Sequence, residues 1–263
     1  MYDINQIIKG KGCLIDTEYD NIDSEKATKM WCASCLDLQT KESRNFHPKG
    51  EGEDQYHDQF AEKLKEYLKG FDYFVAHNLW GAEYFVLKNL IGFEIQPYQA
   101  IDTLVLSRMQ RPLAPYADKF PELKSKGLDT RLGGHSLAAW GKRLGVPKIN
   151  FDKFDHFSWE MLKYCDRDRD LNLGVYEYLL WEQEECGFDP RSLYIENEAH
   201  RRLVRQSIDG FTLHQGRAKK LVEETGEYIQ DYLNELHKVF PPKKTEIRTL
   251  TPRITSVPNR AGS

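Results

Sequence analysis

No apolar run in the sequence approaches the roughly 18–20 residues that a bilayer-spanning helix requires. The first residues, Met1-Tyr2-Asp3-Ile4-Asn5, lack the basic-then-apolar pattern of a secretory leader. Cysteine is scarce, at five in 263 residues. The pair Cys32-Ala33-Ser34-Cys35 is followed by no second Cys-x-x-Cys and no histidine pair at zinc-finger spacing. A zinc finger is thereby excluded, and "KMWCASCLDL" reads as a buried strand in which cysteine acts as a small hydrophobe. A cytoplasmic protein with reduced thiols is the expectation. There is also no excess of positive charge. The net charge of −4 argues against binding nucleic acid through bulk charge, though it leaves a local basic path open.

What is present suits a soluble α/β protein, with 40% hydrophobic and 30% charged residues and no internal repeat. "KGCLIDTEY", "TKMWCASCLDL" and "KESRNFH" read as three strands of a meander. The stretch 53–69 is helical, with Phe60, Leu64 and Leu68 on one face. "FDYFVAHN" is an interior strand, "AEYFVLKNLIG" a helix closed by Gly92, and "YQAIDTLVLSR" a strand running into a helix. Residues 111–133 read as an irregular surface loop, and "HSLAAWGKRLG" and "SWEMLKYCDRDRDLNLGVYEYLLWEQEE" as helices. A meander followed by strands alternating with helices predicts a mixed β-sheet flanked by helices. A second unit is expected to open near Asp189-Pro190 with two helices, giving a first domain over 1–188 and a helical segment over 189–240. Residues 241–263, with five Lys or Arg against one Glu, read as a flexible basic tail.

Carboxylates dominate the candidate chemistry. Asp16 and Glu18 lie two apart on the first strand and so share a face, where like charges repel unless a cation joins them. Glu83 stands at a strand-to-helix junction, and Tyr164 and Asp168 sit one helical turn apart. Asp102 reads as a structural cap. Taken singly, each acidic group has a plain alternative: Glu83 as a solvated first-turn residue, "YCDRDRD" as a salt-bridged helix face. Jointly, carboxylates converging from a strand and two helices are what a pair of hard divalent ions requires.

Asp16-x-Glu18, then "AHNLWGAE", then "YCDRD" resemble the three motifs of the DEDD exonuclease superfamily in its tyrosine-containing subclass. "IDTLVLSR", "GGHSLAAWGKRLGVPK" and "YIENEAHRRLVRQSIDGFTLH" resemble the exonuclease domain and opening polymerase helices of bacteriophage family A DNA polymerases. The likeness runs from about residue 11 to residue 238. It implies a ribonuclease-H-like fold and a proofreading-type 3′→5′ DNA exonuclease made in a host cytoplasm. It also implies two Mg2+ or Mn2+ ions held by Asp16, Glu18, Glu83 and Asp168, with Tyr164 orienting the attacking water. Asn78 and His77 would meet the DNA 3′ end, single strands being preferred. Glu83 stands where the family has aspartate. A polymerase domain or subunit is the implied partner, the chain being a fragment or the exonuclease half of a split polymerase. Two alternatives stand beside this: a catalytically weak DNA-binding module that positions a polymerase, and an RNA exonuclease of the same superfamily.

Overall fold

The computed structural model describes residues 4–48, 58–110, 134–189 and 191–241. The expected loop at 111–133, the tail beyond 241 and the first residues of the helix expected from 53 lie outside them. The described chain divides into two compact units, residues 1–209 and 210–263.

The first unit is built on five strands: β1 (Gly12–Tyr19), β2 (Met30–Asp37), β3 (Ser43–Phe46), β4 (Tyr73–Ala76) and β5 (Ala100–Asp102). They lie in the order β3-β2-β1-β4-β5. β1 pairs antiparallel with β2, and β2 with β3, as the meander predicts. β1–β4 and β4–β5 are parallel, because each return passes through a helix. β1 is therefore central, with its carboxylates rising among neighbours on both sides.

Helices cover both faces of the sheet. On one face lie α1 (Asp58–Leu68) and α2 (Glu83–Ile91). Phe60, Leu64 and Leu68 pack there with Val86, Leu87 and the odd-numbered Cys13 and Ile15 of β1. On the other lie α3 (Thr103–Gln110), α4 (Leu137–Leu144) and the 28-residue α5 (Trp159–Cys186). Val105, Trp140, Leu171, Val175 and Leu179 pack there with Leu14 of β1. Strand periodicity thus sends Leu14, Asp16 and Glu18 to the α5 side. Gly92 and Gly145 end α2 and α4 with φ of 63° and 70°, values that favour glycine over any L side chain.

The expected break near Asp189 is followed by α6 (Ser192–Asp209), which belongs to the first compact unit. Leu193 joins the second core cluster, and Asn197 Nδ2 donates to Ala100 O at 3.0 Å. The second unit contains α7 (Gln215–Val239), started by the His214 ring accepting from the Arg217 N–H. Its Leu221, Tyr228, Ile229, Tyr232 and Leu236 are exposed. No described helix is long and apolar enough to cross a membrane.

Candidate active site

A cleft of about 1030 Å³ opens over the α5 side of the sheet. Asp16, Glu18, Glu83, Tyr164 and Asp168 all line it, as do Asn78 and His77. Every site residue expected from the sequence is therefore brought to one place.

β1 carries Asp16 and Glu18 opposite Ser34 and Cys32 of β2. Both carboxylates leave the ordinary range for the same first reason, burial. Burial and the neighbouring charge of Asp168 push Asp16 up to about 8. Burial and then Asp16 push Glu18 well upward. Glu83 is the first residue of α2, 4% exposed, and burial and then Asp16 raise its carboxyl too. Asp168 enters from α5 and is likewise raised by burial, against the pull of Lys148. Four acids this buried and mutually repelling carry more negative charge than Lys148 alone offsets.

Two oxygens show where that charge would be met. Asp168 Oδ1 and Glu83 Oε2 are buried with no hydrogen-bond partner, which is costly for a carboxylate. Ligand atoms of Asp16, Glu18 and Cys165 lie within 4.8 Å of one another. The Cys165 thiol itself donates to Asp16 O at 3.4 Å, and burial keeps it protonated, so the oxygens are the available ligands. This oxygen-rich set fits a hard divalent cation such as Mg2+.

The remaining acids of "YCDRDRD" have other work. Arg169 donates to Asp166 Oδ1 at 3.0 Å and to Asp170 Oδ1 at 2.7 Å. Ser34 Oγ reaches the same Asp166 oxygen at 2.6 Å, and Asn45 Nδ2 its other oxygen at 3.0 Å. Asp166 thus ties α5 to β2 and β3 while Asp168, half a turn on, faces the cleft. Asp102 is structural, as expected. It is fully buried and accepts from the backbone N–H groups of Asn78 (3.0 Å), Trp80 (3.4 Å), Leu104 (2.9 Å) and Val105 (3.4 Å). That anchor shapes the loop presenting Asn78 and Glu83. Asn78 has φ of 67°, which asparagine tolerates, and a Cβ on Gly81 would come within 2.6 Å of its side chain.

His77 Nδ1 lies 2.9 Å from Thr103 Oγ1, which itself donates to Asn172 Oδ1 at 2.7 Å. This contact ties the His77 ring to α3 and α5. Burial drives its pKa down to about 3, so the ring is neutral.

Lys148 was not singled out from the sequence. Its Nζ lies 2.7 Å from Asp168 Oδ2 and 2.6 Å from the Tyr164 hydroxyl. The signal that could have found it is chemical: an acidic cluster needs a cation, and Lys148 ends the "GKRLGVPK" stretch before Tyr164.

No protein-family model matches this chain, and no curated protein does. Solved structures do. One is Brucella melitensis NrnC with bound Mg2+, which superposes with a TM-score of 0.51 at 14% identity, over 76% of this chain and 86% of that one. The fold is ribonuclease-H-like. At this identity the likeness carries the architecture: a mixed sheet flanked by helices with a C-terminal helical part. The similar structure holds Mg2+, and the acidic cluster here has the ligands for such an ion.

Proposed function

We propose that this protein is a metal-dependent 3′→5′ exonuclease that removes the terminal nucleotide of single-stranded DNA. One observation carries the reading: buried carboxylates from β1, α2 and α5 converge on a cleft with unpaired oxygens, beside the hydroxyl of Tyr164. The ribonuclease-H-like fold and the Mg2+ in a similar structure support it.

Asp16, Glu18, Glu83 and Asp168 would hold the ions. When bound, they supply Lewis acidity toward the phosphate and ease deprotonation of water. Tyr164 orients the attacking water through its hydroxyl, a contribution of geometry. Water adds to phosphorus and the bond to the 3′ oxygen breaks, so the shortened strand keeps a 3′ hydroxyl and a nucleoside 5′-monophosphate leaves. Tyr19, Phe154 and the exposed Ile22 offer surfaces for a frayed end, and Arg108, which also lines the cleft, a cation to meet a phosphate.

Association with a polymerase domain or subunit is the finer part of the proposal. Its support is the sequence resemblance of residues 194–214 and the exposed apolar side chains of α7, which suit a protein partner better than water. The test is digestion of matched 5′-labelled single-stranded DNA and RNA, with Mg2+ and with chelator. Faster Mg2+-dependent shortening of DNA supports the reading. Preference for RNA would replace it with the RNA exonuclease of the same superfamily, and binding without cleavage with the weak DNA-binding module.

A further inference from the structure

Lys148 bridges two residues of α5 that stand one helical turn apart. Its ammonium donates to the Tyr164 hydroxyl at 2.6 Å and pairs with Asp168 Oδ2 at 2.7 Å. The Asp168 side chain is 5% exposed and that of Lys148 29%, so this is no solvated surface pair. The lysine also lies against the phenol, with Nζ 4.8 Å from the ring centroid.

The segment bearing Lys148 is fastened on both sides. Just before it, Val146 N donates to Gly141 O at 2.8 Å, and Arg167 Nε of α5 to Pro147 O at 3.1 Å. A Cβ on Gly141 would meet Val146 O at 2.6 Å, so this return from α4 needs glycine. Just after it, Phe151 stacks on the Tyr164 ring at 5.5 Å, and Trp31 Nε1 donates to Phe154 O at 2.9 Å. β2, α4 and α5 all contribute to holding the lysine over Tyr164.

We infer that Lys148 is a positioning residue for hydrolysis, acting through the Tyr164 hydroxyl. The inference rests on the function proposed above and names a part of that same site. The ammonium occupies one lone pair of Oη, which fixes the oxygen and leaves the phenolic proton for an acceptor in the cleft. Pairing with Asp168 Oδ2 meanwhile leaves Oδ1 as the unpaired oxygen. Lys148 thus sets the position of the hydroxyl and divides the carboxylate between an internal partner and an external cation. A cation so close to the cluster also opposes binding of a second one.

Opposite effects on rate and on metal binding follow, whereas losing a lysine that merely supported the fold would lower both together. The 263-residue protein and its Lys148→Met, Lys148→Arg, Tyr164→Phe and Lys148→Met/Tyr164→Phe variants are titrated with Mn2+ by calorimetry, without nucleic acid. Single-turnover cleavage of labelled single-stranded DNA is then measured at saturating Mn2+. Lys148→Met should cleave about tenfold more slowly or worse, a typical cost of lost positioning, while binding Mn2+ as tightly as wild type or more so. Lys148→Arg should recover part of the rate. The double variant should stay within about threefold of Tyr164→Phe alone, because coupled residues are not additive. Additive losses, a wild-type rate in Lys148→Met, or weaker Mn2+ binding in step with the rate would overturn the inference. Should wild type cleave no nucleic acid, the proposed function fails by itself. Mn2+ binding then decides the Lys148–Asp168 pairing alone, and weaker binding by Lys148→Met would overturn it.

Discussion

Glu83 is the residue whose chemistry departs from the pattern the sequence resembles, and its place at the start of α2 gives the longer side chain a reason. It stands at the helix start with one oxygen buried and unpaired, and Asp16 is the largest charged influence on it. A carboxylate one methylene shorter would draw back from that cluster. Glu83→Asp should therefore lower hydrolysis, and Glu83→Ala lower it further; an Asp variant faster than wild type would mark the native residue as a weakened ligand. Tyr164→Phe should slow cleavage about tenfold with unchanged Mn2+ affinity, since positioning contributes to the barrier and not to ground-state binding. His77 gives the pH prediction. Its pKa falls from the ordinary histidine range to about 3 on folding, so the unfolded chain binds the proton more readily. The stabilising contribution is complete above the unfolded value and is lost as pH falls toward 3. The slope is roughly 1.4 kcal/mol per pH unit over that window. The stability difference between wild type and His77→Gln should thus shrink from pH 7 to pH 4.5, followed by denaturant unfolding; a constant difference would mean the ring is not held neutral. Asp16 with Glu18, and Tyr164 with Asp168, could be read from spacing, which fixes the side chains that share a face of a strand or helix, whereas Glu83 joined them through the motif that its stretch resembles. Lys148 could not be read so, because it sits on an irregular return whose path is set by Gly141, Trp31 and Arg167 together.

At the scale of elements, the strands were legible for a simple reason. Period-two alternation along β1 must serve two cores, and "GCLIDTEY" alternates between them until its carboxylates emerge. Cys32 and Cys35 are fully buried in β2, as small hydrophobes. Less legible was the way α5 is held against the sheet. Helical periodicity shows Asp166, Arg169 and Asp170 only as charged positions, whereas their partners Ser34 and Asn45 lie more than a hundred residues away in sequence. Within this network Arg169 is the buried cation, with its side chain 7% exposed. Arg169→Met should cost about 3 kcal/mol, the usual range when one partner of a buried pair is removed. Because the network orients α5, the same variant should lose activity more than its residual folding explains. Denaturant unfolding beside single-turnover cleavage checks both, and an unchanged midpoint would show that the network contributes no stability. The placement of α6 was also hidden, since Leu193 and Asn197 are too few buried positions to announce a packed helix.

At the scale of the whole molecule, the fold stores unfavourable carboxylate burial that a divalent cation would relieve. Asp16 is where this is most concentrated, being raised by burial and by Asp168 together. Removing its charge should therefore leave the metal-free protein as stable or more so, even while it disables the site. Asp16→Asn should match or exceed the wild-type melting temperature without metal and lose most of the increase that Mn2+ gives wild type. The most direct single measurement is the time course of a 5′-labelled single-stranded DNA with the wild-type protein, in Mg2+ and in chelator, resolved to single nucleotides. The account predicts a ladder shortening stepwise from the 3′ end in Mg2+, none in chelator and none with Asp16→Asn in Mg2+. Cleavage that persists in chelator, survives Asp16→Asn or releases the 5′ label first would contradict it.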